Sequence, residues 1–548
     1  MNIIRKNEFT KERKRHNFLS KVGKSKSTIV ASFLISSSLF QPTANVLADD
    51  APSKVVENGS KKTISGQELS SLKTIEIKIQ GDNFIIKPKG EIKNGQKTSE
   101  KEALINKKKY PQEFYELTKK LKSSEAKGKT LKLEGKIYAE GDLSFLFKNA
   151  KLSNIGNLSE LDTSNVTNMR GMFYQSEIEG DINSLKSWDV SNVTNMQNMF
   201  SYSKFTGNLD GLESWNTKKV TDMSGLFNNS KFNSDINGLK TWDVSSVTNM
   251  QSIFAYSNFT GTLEALKDWK VDKADNMYAM FRETKFTGTL EHLKSWNVSS
   301  VKNMGAMFAN SNLTGNLEAL NTWDTSKVNS MTRMFGESKF SGKITFPENF
   351  GKNKAADFSY MFDKSLTEES VLKIVNVDFK DNYVENMFNE TKGVIVMKNI
   401  SNFKVENTDN KTTKHIIVTD NAGFINAYKN KNFEKSIKLK FKNEEYEVKI
   451  PSVFELKGSD DEMKAVKDTI DKLIKEKIKE LKKTYPNLSE DYKKTKEMTE
   501  KETNTPIYLI QDYTLTEAKT NTKPILEVVD KQIKVGEELD LKSLITKA

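Results

Sequence analysis

The sequence predicts an α/β repeat protein, a solenoid of coils of about 27 residues flanked by small α+β caps. Three observations predict it. The six tryptophans, Trp188, Trp215, Trp242, Trp269, Trp296 and Trp323, each follow the last by 27 residues. A phenylalanine series from Phe173 to Phe362 and a methionine series from Met169 to Met331 keep the same period. Finally, a chain of 548 residues without a cysteine is too long for one core and has no disulfide or thiolate-metal framework. Packing and repetition must stabilise it instead. Degenerate turns at Phe147 and Phe388, each 26 residues from its neighbour, bound the repeat region at about 143–400.

One repeat reads as follows. Leu185 to Val190 has the spacing LxxWxV, matching the LxxLxL of leucine-rich repeats. Trp188 and Val190 alternate with Ser187 and Asp189, which predicts a short strand with the apolar pair inward. Asn195 then stands where every copy has Asn, Asp or Ser, predicting a helix N-cap. Met196, Met199 and Phe200 fall on one helical face, so one or two helical turns are expected. A recurring hydroxyl (Ser176, Ser203, Ser230, Ser257, Thr284, Ser311, Ser338) follows in the return loop. Stacked hydroxyls of this kind are expected to bond loop backbone between coils. No coil can bury its apolar face alone; stacking does so.

The motifs SWDVSNVTNMQNMF and TWDVSSVTNMQSIF resemble the BspA-like leucine-rich repeat family of bacterial surface proteins, in its WDVSNVTNMxxMF subclass. The resemblance implies an LRR-like solenoid on a cell-surface protein and, at family level, adhesion to matrix proteins, host cells or other bacteria. The fourth strand departs from the pattern, with Lys270 for Asp or Asn and Ala274 for Val.

Residues 1–48 read as an export signal: a basic n-region, an apolar run from about Thr28 to Phe40, and Val46-Leu47-Ala48 before a mature start at Asp49. The apolar run is shorter than the ~20 residues a membrane span needs. FLSKVGKS resembles the YSIRK-type signals of Gram-positive surface proteins. This segment carries +7 of the chain's +12, so the mature part is only about +5. Beyond it the arginines are Arg170, Arg282 and Arg333 alone. Nucleic-acid binding is therefore not expected.

Residues 49–142 form an N-terminal cap. A hairpin is predicted from Ile75–Ile79 and Phe84–Ile86 around Gly81-Asp82, a helix over Tyr110–Leu121 with Pro111 at its first position, and a strand over Leu131–Tyr138. Residues 401–456 form a small β-rich segment with strands at Ile416–Val418, Ile437–Phe441 and Tyr446–Ile450. Residues 457–506 are helical, with an amphipathic helix over Asp461–Lys483 that packs either on the adjacent strands or on a coiled-coil partner. Residues 507–548 resemble the opening of a bacterial Ig-like module, incomplete at Ala548. With no LPxTG motif or apolar anchor before Ala548, the chain is expected to be a fragment, the alternative being a released protein, and wall attachment requires continuation beyond it.

Catalytic chemistry has little support. After the export signal only His292 and His415 remain, and no GxSxG, HExxH, P-loop or EF-hand pattern occurs. No catalytic residue, metal site or cofactor is expected. The candidate ligand site is the outward polar strip of the strands: Ser187 and Asp189, Ser214 and Asn216, Thr241 and Asp243, Asp268 and Lys270, Ser295 and Asn297, Thr322 and Asp324. At ~4.8 Å per strand it would run roughly 25 Å. The expected function is a secreted or surface adhesin for an extracellular protein or glycan, without a membrane span in the mature chain. The alternative is a structural spacer projecting C-terminal modules from the wall.

Overall fold

The computed structural model describes residues 66–90, 92–93, 96–97, 100–347, 350, 356–368, 370–379, 382–403, 415–429, 434–456, 462–494 and 513–518. The chain divides into two units, 1–63 and 64–548, and all described residues lie in the second. The segments expected as export signal and, for the most part, as an Ig-like stretch fall outside the described residues.

The N-terminal part opens on helix α1 (Gly66–Ser71). Strands β1 (Ile75–Gln80) and β2 (Asn83–Pro88) form the expected hairpin, with Gln80 opposite Asn83 across Gly81-Asp82. A minor pair, β3 (Ile92–Lys93) and β4 (Gln96–Lys97), precedes β5 (Glu102–Ile105). Helix α2 (Pro111–Leu121) starts on its proline and buries Phe114, Leu117 and Leu121. The strand expected over Leu131–Tyr138 is two strands, β6 (Thr130–Leu133) and β7 (Lys136–Asp142). Gly135, at φ +79°, turns the chain between them, and a Cβ there would overlap the Lys101 carbonyl. β6 joins β1 and β2, whereas β7 lies between β5 and β8 (Leu161–Asn168) in a parallel sheet.

From β8 onward the repeats stack in parallel register. Single bridges connect Asn168 to Asn195, Asp222, Asn249, Asn276, Asn303, Ser330, Asp357 and Tyr383 in turn. The stack closes on a five-stranded sheet, whose first three members are β9 (Lys343–Thr345), β10 (Val371–Val375) and β11 (Gly393–Lys398). β12 (His415–Thr419) and β15 (Val453–Glu455) complete it, in the order β15-β12-β11-β10-β9 and parallel throughout. Helix α3 (Ala422–Lys429) follows β12.

The interior of a repeat differs from expectation in two ways. Leu185 to Val190 is not a strand; a 3₁₀ turn spans Asn183–Ser187 and extended backbone carries Trp188. The segment after Asn195 is not a helix. Asn195 does cap a turn amide, but its Oδ1 accepts from Gln197 N two residues on, at 2.9 Å. A string of turns then follows in which Met172, Tyr174 and Ser176 donate three residues back, to Met169, Gly171 and Phe173. The residues between them, Met169, Gly171, Phe173 and Gln175, donate instead to Asn195, Gln197, Met199 and Ser201 of the next repeat. This alternation satisfies the backbone without helix or strand. It demands left-handed backbone at two positions per repeat, as at Asn198 (φ 56°) and Tyr202 (φ 57°). A helix cannot propagate through such residues.

Non-glycine residues bear that conformation in most copies, Glu337 (φ 56°) among them. Left-handed backbone costs about 1–2 kcal/mol, of which the extra entropy of an unfolded glycine returns about 0.4–1. Glu337→Gly is therefore expected to raise stability by up to about 1 kcal/mol, and Glu337→Val to lower it. Paired denaturation curves check this; a loss with glycine would remove the strain argument.

The core is a set of ladders. All six tryptophans are buried, none more than 4% exposed. Trp188 and Trp215 stack at 6.4 Å and 4°, and Trp296 and Trp323 at 6.4 Å and 3°. Phenylalanines stack from Phe147 through Phe173, Phe200, Phe227 and Phe254 onward. Each tryptophan from Trp215 to Trp323 also ties its repeat to the one before. Trp215 Nε1 donates to Leu185 O at 3.1 Å, Trp242 to Leu212 O at 3.0 Å, and Trp296 to Leu266 O at 2.9 Å. The return-loop hydroxyls do not bridge repeats as expected. Thr284 and Ser338 bond Phe281 and Phe335 of their own turns, while Ser176, Ser203, Ser230, Ser257 and Ser311 are buried without a hydrogen bond.

The C-terminal part is a second layer pair. β13 (Glu434–Phe441) and β14 (Glu444–Pro451) form the expected hairpin around Lys442-Asn443. With β17 (Tyr513–Glu517) and β16 (Leu488–Lys494) they make the sheet β14-β13-β17-β16. Helix α4 (Glu462–Leu481) buries Val466, Ile470, Ile474 and Ile478 with Ile437, Leu439 and Val448 of that sheet. Its apolar stripe is thus occupied within the chain. The sequence divisions at 456/457 and 506/507 run through this one layer pair, and β12 and β15 belong to the repeat stack's sheet.

Candidate functional site

Two surfaces of the stack differ in what their side chains do. The polar strip expected from sequence lies at the surface: Ser187 is half-buried, and Asp189, Ser214, Asn216, Thr241, Asp243, Asp268, Lys270, Ser295, Asn297, Thr322 and Asp324 are exposed. Most of these residues are engaged. Ser214, Thr241, Ser295 and Thr322 donate to the carbonyls of Lys186, Glu213, Lys267 and Lys294 in the preceding repeat, at 2.7–3.1 Å. Asp189, Asn216, Asp243, Asn297 and Asp324 accept from the amide two residues on, at 2.9–3.2 Å. The Ser245 hydrogen bonds hold the Asp243 carboxyl below its usual range. The strip repeats because each repeat needs the same turn and the same tie.

The turn ladder forms the other surface. Two of its positions change from copy to copy, exposed or half-buried in some copies and buried in others. The residue after the first methionine is Arg170, Gln197, Ser224, Gln251, Tyr278, Gly305 and Thr332 in successive repeats. Four residues later come Tyr174, Ser201, Asn228, Ala255, Arg282, Ala309 and Gly336. Neighbours are fitted in size. A Cβ on Gly171 would overlap the Phe145 ring, so that ring lies across the glycine of the next repeat. Tyr202 and Tyr256, 47% and 38% exposed, stand out from this face.

Cations stand over its rings. Arg282 lies 5.4 Å from the Tyr256 ring centroid and Arg333 4.9 Å from Tyr360. Arg170 lies 5.5 Å from Phe145, and Lys148 is 5.1 Å from Phe145 and 5.4 Å from Tyr174. Burial pushes the Tyr256 phenol up, against the opposing pull of Arg282. All three arginines beyond residue 48 are on this one face. The variable pairs after each methionine are plain in the sequence, but their common face is not; the 27-residue register of Arg and Tyr is the signal that could have found it.

The family is decided by the span of the repeat match. The family model described as "Mycoplasma protein of unknown function, DUF285" matches residues 141–255, 201–317 and 312–428. Those matches run over residues 141–428, more than half of the 548. The chain belongs to the DUF285 family. Its three tandem matches make it a repeat protein, in keeping with the BspA-like type. No curated protein and no solved structure matches the chain.

The two histidines beyond residue 48 lie in different elements of the DUF285 chain. His292 is half-exposed in the last turn of a 3₁₀ segment. His415 opens β12 and is buried, its Nδ1 3.3 Å from Thr391 O and its ring 6.1 Å from Phe388. Burial pushes it down to about 4. Among the described residues no group of three or more His, Asp or Glu could hold a metal, and no helix is long and apolar enough to cross a membrane.

Proposed function

We propose that this is a non-catalytic binding module displayed outside a bacterial cell, built as an LRR-like solenoid of the WDVSNVTNMxxMF subclass. An adhesive role toward an extracellular protein or glycan is the reading the geometry supports best. One observation carries it: the three arginines, with Tyr174, Tyr202, Tyr256, Tyr278 and Tyr360, gather on the turn ladder. Tyr and Arg are the residues that dominate binding hot spots. The ladder positions vary between copies while the strip positions, tied into turns, hardly do. This favours the ladder over the strip as the binding face. A pure spacer would have no use for exposed rings on one side.

The test compares two variants of the full chain on an array of matrix proteins, glycans and bacterial cells. Each substitutes residues that other repeats already carry. Tyr202→Asn, Tyr256→Asn and Tyr278→Gln together remove ladder rings. Asp189→Asn, Asp243→Asn and Asp324→Asn remove strip charge and keep the turn. Adhesion is expected to fall with the first set, by about 1–2 kcal/mol per anchoring ring, and to survive the second. The reverse pattern would return the site to the strip; no binding by the parent chain would favour the spacer.

A further inference from the structure

Deepening that reading and resting on it, we infer that the N-terminal end of the turn ladder is a binding site for an acidic glycan. The site comprises Phe145, Lys148, Arg170, Tyr174, Tyr202 and Lys122. Three observations meet there. Arg170 and Lys148 both lie over the Phe145 ring, Lys148 also lies over Tyr174, and Tyr174 packs edge-on against Tyr202 at 6.1 Å. Lys122 is close enough to Lys148 to feel its charge; burial first and that like charge second hold its ammonium below the usual value. Among the described residues, Lys122, Lys148 and Arg170 make no ion pair with a carboxylate, although Arg282 and Arg333 on the same face each have one, at 3.5 and 3.1 Å. Three neighbouring cations without a carboxylate partner, two of them lying over rings, leave a positive charge that an anionic ligand would complete.

The backbone argues for sugar over peptide. On the ladder, Met169, Gly171, Phe173 and Gln175 donate to the next repeat, and Met172, Tyr174 and Ser176 donate within their own turns. An incoming acidic peptide finds no free strand edge and could gain no main-chain ladder there. Recognition must run through ring faces and cations. A pyranose presents C–H groups that the electron-rich face of Tyr174 or Tyr202 attracts. Its carboxylates take hydrogen bonds from Arg170 and Lys148.

The full chain is titrated with a hyaluronan octasaccharide, whose uronate carboxylates alternate with neutral sugars. Dextran and polyglutamate serve as neutral-glycan and acidic-peptide controls. Binding to hyaluronan that weakens as salt rises, with neither control within about tenfold in affinity, is expected. Arg170→Gln with Lys148→Gln should weaken it by at least about tenfold, and Tyr174→Asn by a similar factor. The Arg170 and Tyr174 changes install the residues found at the same positions as Gln197 and Asn228, so the melting temperature should hold. No binding of hyaluronan, equal binding of polyglutamate, or unchanged affinity in the double variant overturns the assignment. If the array finds a protein ligand that the Tyr202, Tyr256 and Tyr278 changes abolish while hyaluronan fails, only this inference falls and the binding-module reading stands.

Discussion

Trp242→Ala is expected to cost about 3–5 kcal/mol, among the largest single losses available in the repeats. The side chain is 4% exposed, stacks on Trp215 at 6.2 Å and 7°, and donates to Leu212 O at 3.0 Å. Alanine removes the apolar burial, the stacked pair and the tie to the preceding repeat together. Trp242→Phe separates these contributions. It keeps a ring against Trp215 but removes the indole donor from the Leu212 carbonyl, which still accepts from the Trp215 amide at 3.1 Å, so the expected loss is that of one hydrogen bond, about 0.5–1.5 kcal/mol. Because each repeat is stabilised by its neighbours, the alanine variant should also broaden urea unfolding or split it into two steps. Denaturation followed by circular dichroism reads both effects. An alanine cost below about 1 kcal/mol would show that the tryptophan ladder does not couple the repeats.

Acid should unpick the stack at its C-terminal sheet. The folded His415 imidazole titrates at about 4, against an ordinary 6.5. The folded form therefore holds it neutral while the unfolded chain takes up a proton. Its contribution is fully present above about pH 6.5, declines as pH falls, and is gone below about 4. Over that window the change is on the order of 3 kcal/mol, since a tenfold difference in proton affinity between folded and unfolded chain corresponds to about 1.4 kcal/mol. Desolvation by Phe388 and the β11–β12 packing is the main cause; the hydrogen bond to the Thr391 carbonyl opposes it, and repulsion from Lys435 adds to it more weakly. His415→Leu should flatten the pH dependence of stability between 4 and 6.5. A wild-type stability that stays level across that range would contradict the burial of a neutral ring.

The strongest features were legible because they are one-dimensional. A 27-residue period in Trp, Met and Phe can only mean residues superimposed along a stack, and the structure stacks them. The hairpins at Gly81-Asp82 and Lys442-Asn443 and the helices on Pro111 and over Glu462–Leu481 were equally local in origin. The shape of each repeat was not. Met196, Met199 and Phe200 have the spacing of a helix face, yet the amides of Met196, Asn198 and Phe200 bond the next repeat instead of their own turn. A partner 26 residues away outcompetes the local helix bond once the stack exists, and no local pattern announces it.

The same limit applies to the candidate site. Asp189 or Asn216 in an alternating segment reads as a solvent-facing ligand position; only the turn amide two residues on shows that the carboxylate or amide is already engaged. Arg170, Arg282 and Arg333 were visible as the arginines beyond residue 48, but their grouping with Phe145, Tyr256 and Tyr360 depends on which side of each turn faces outward. The sequence alone therefore determined the repeat, its period and its core residues, because periodic burial leaves a periodic signature. The tertiary structure decided which polar residues hold the stack together and which cations lie over rings at its surface, because hydrogen bonds between repeats depend on register in space.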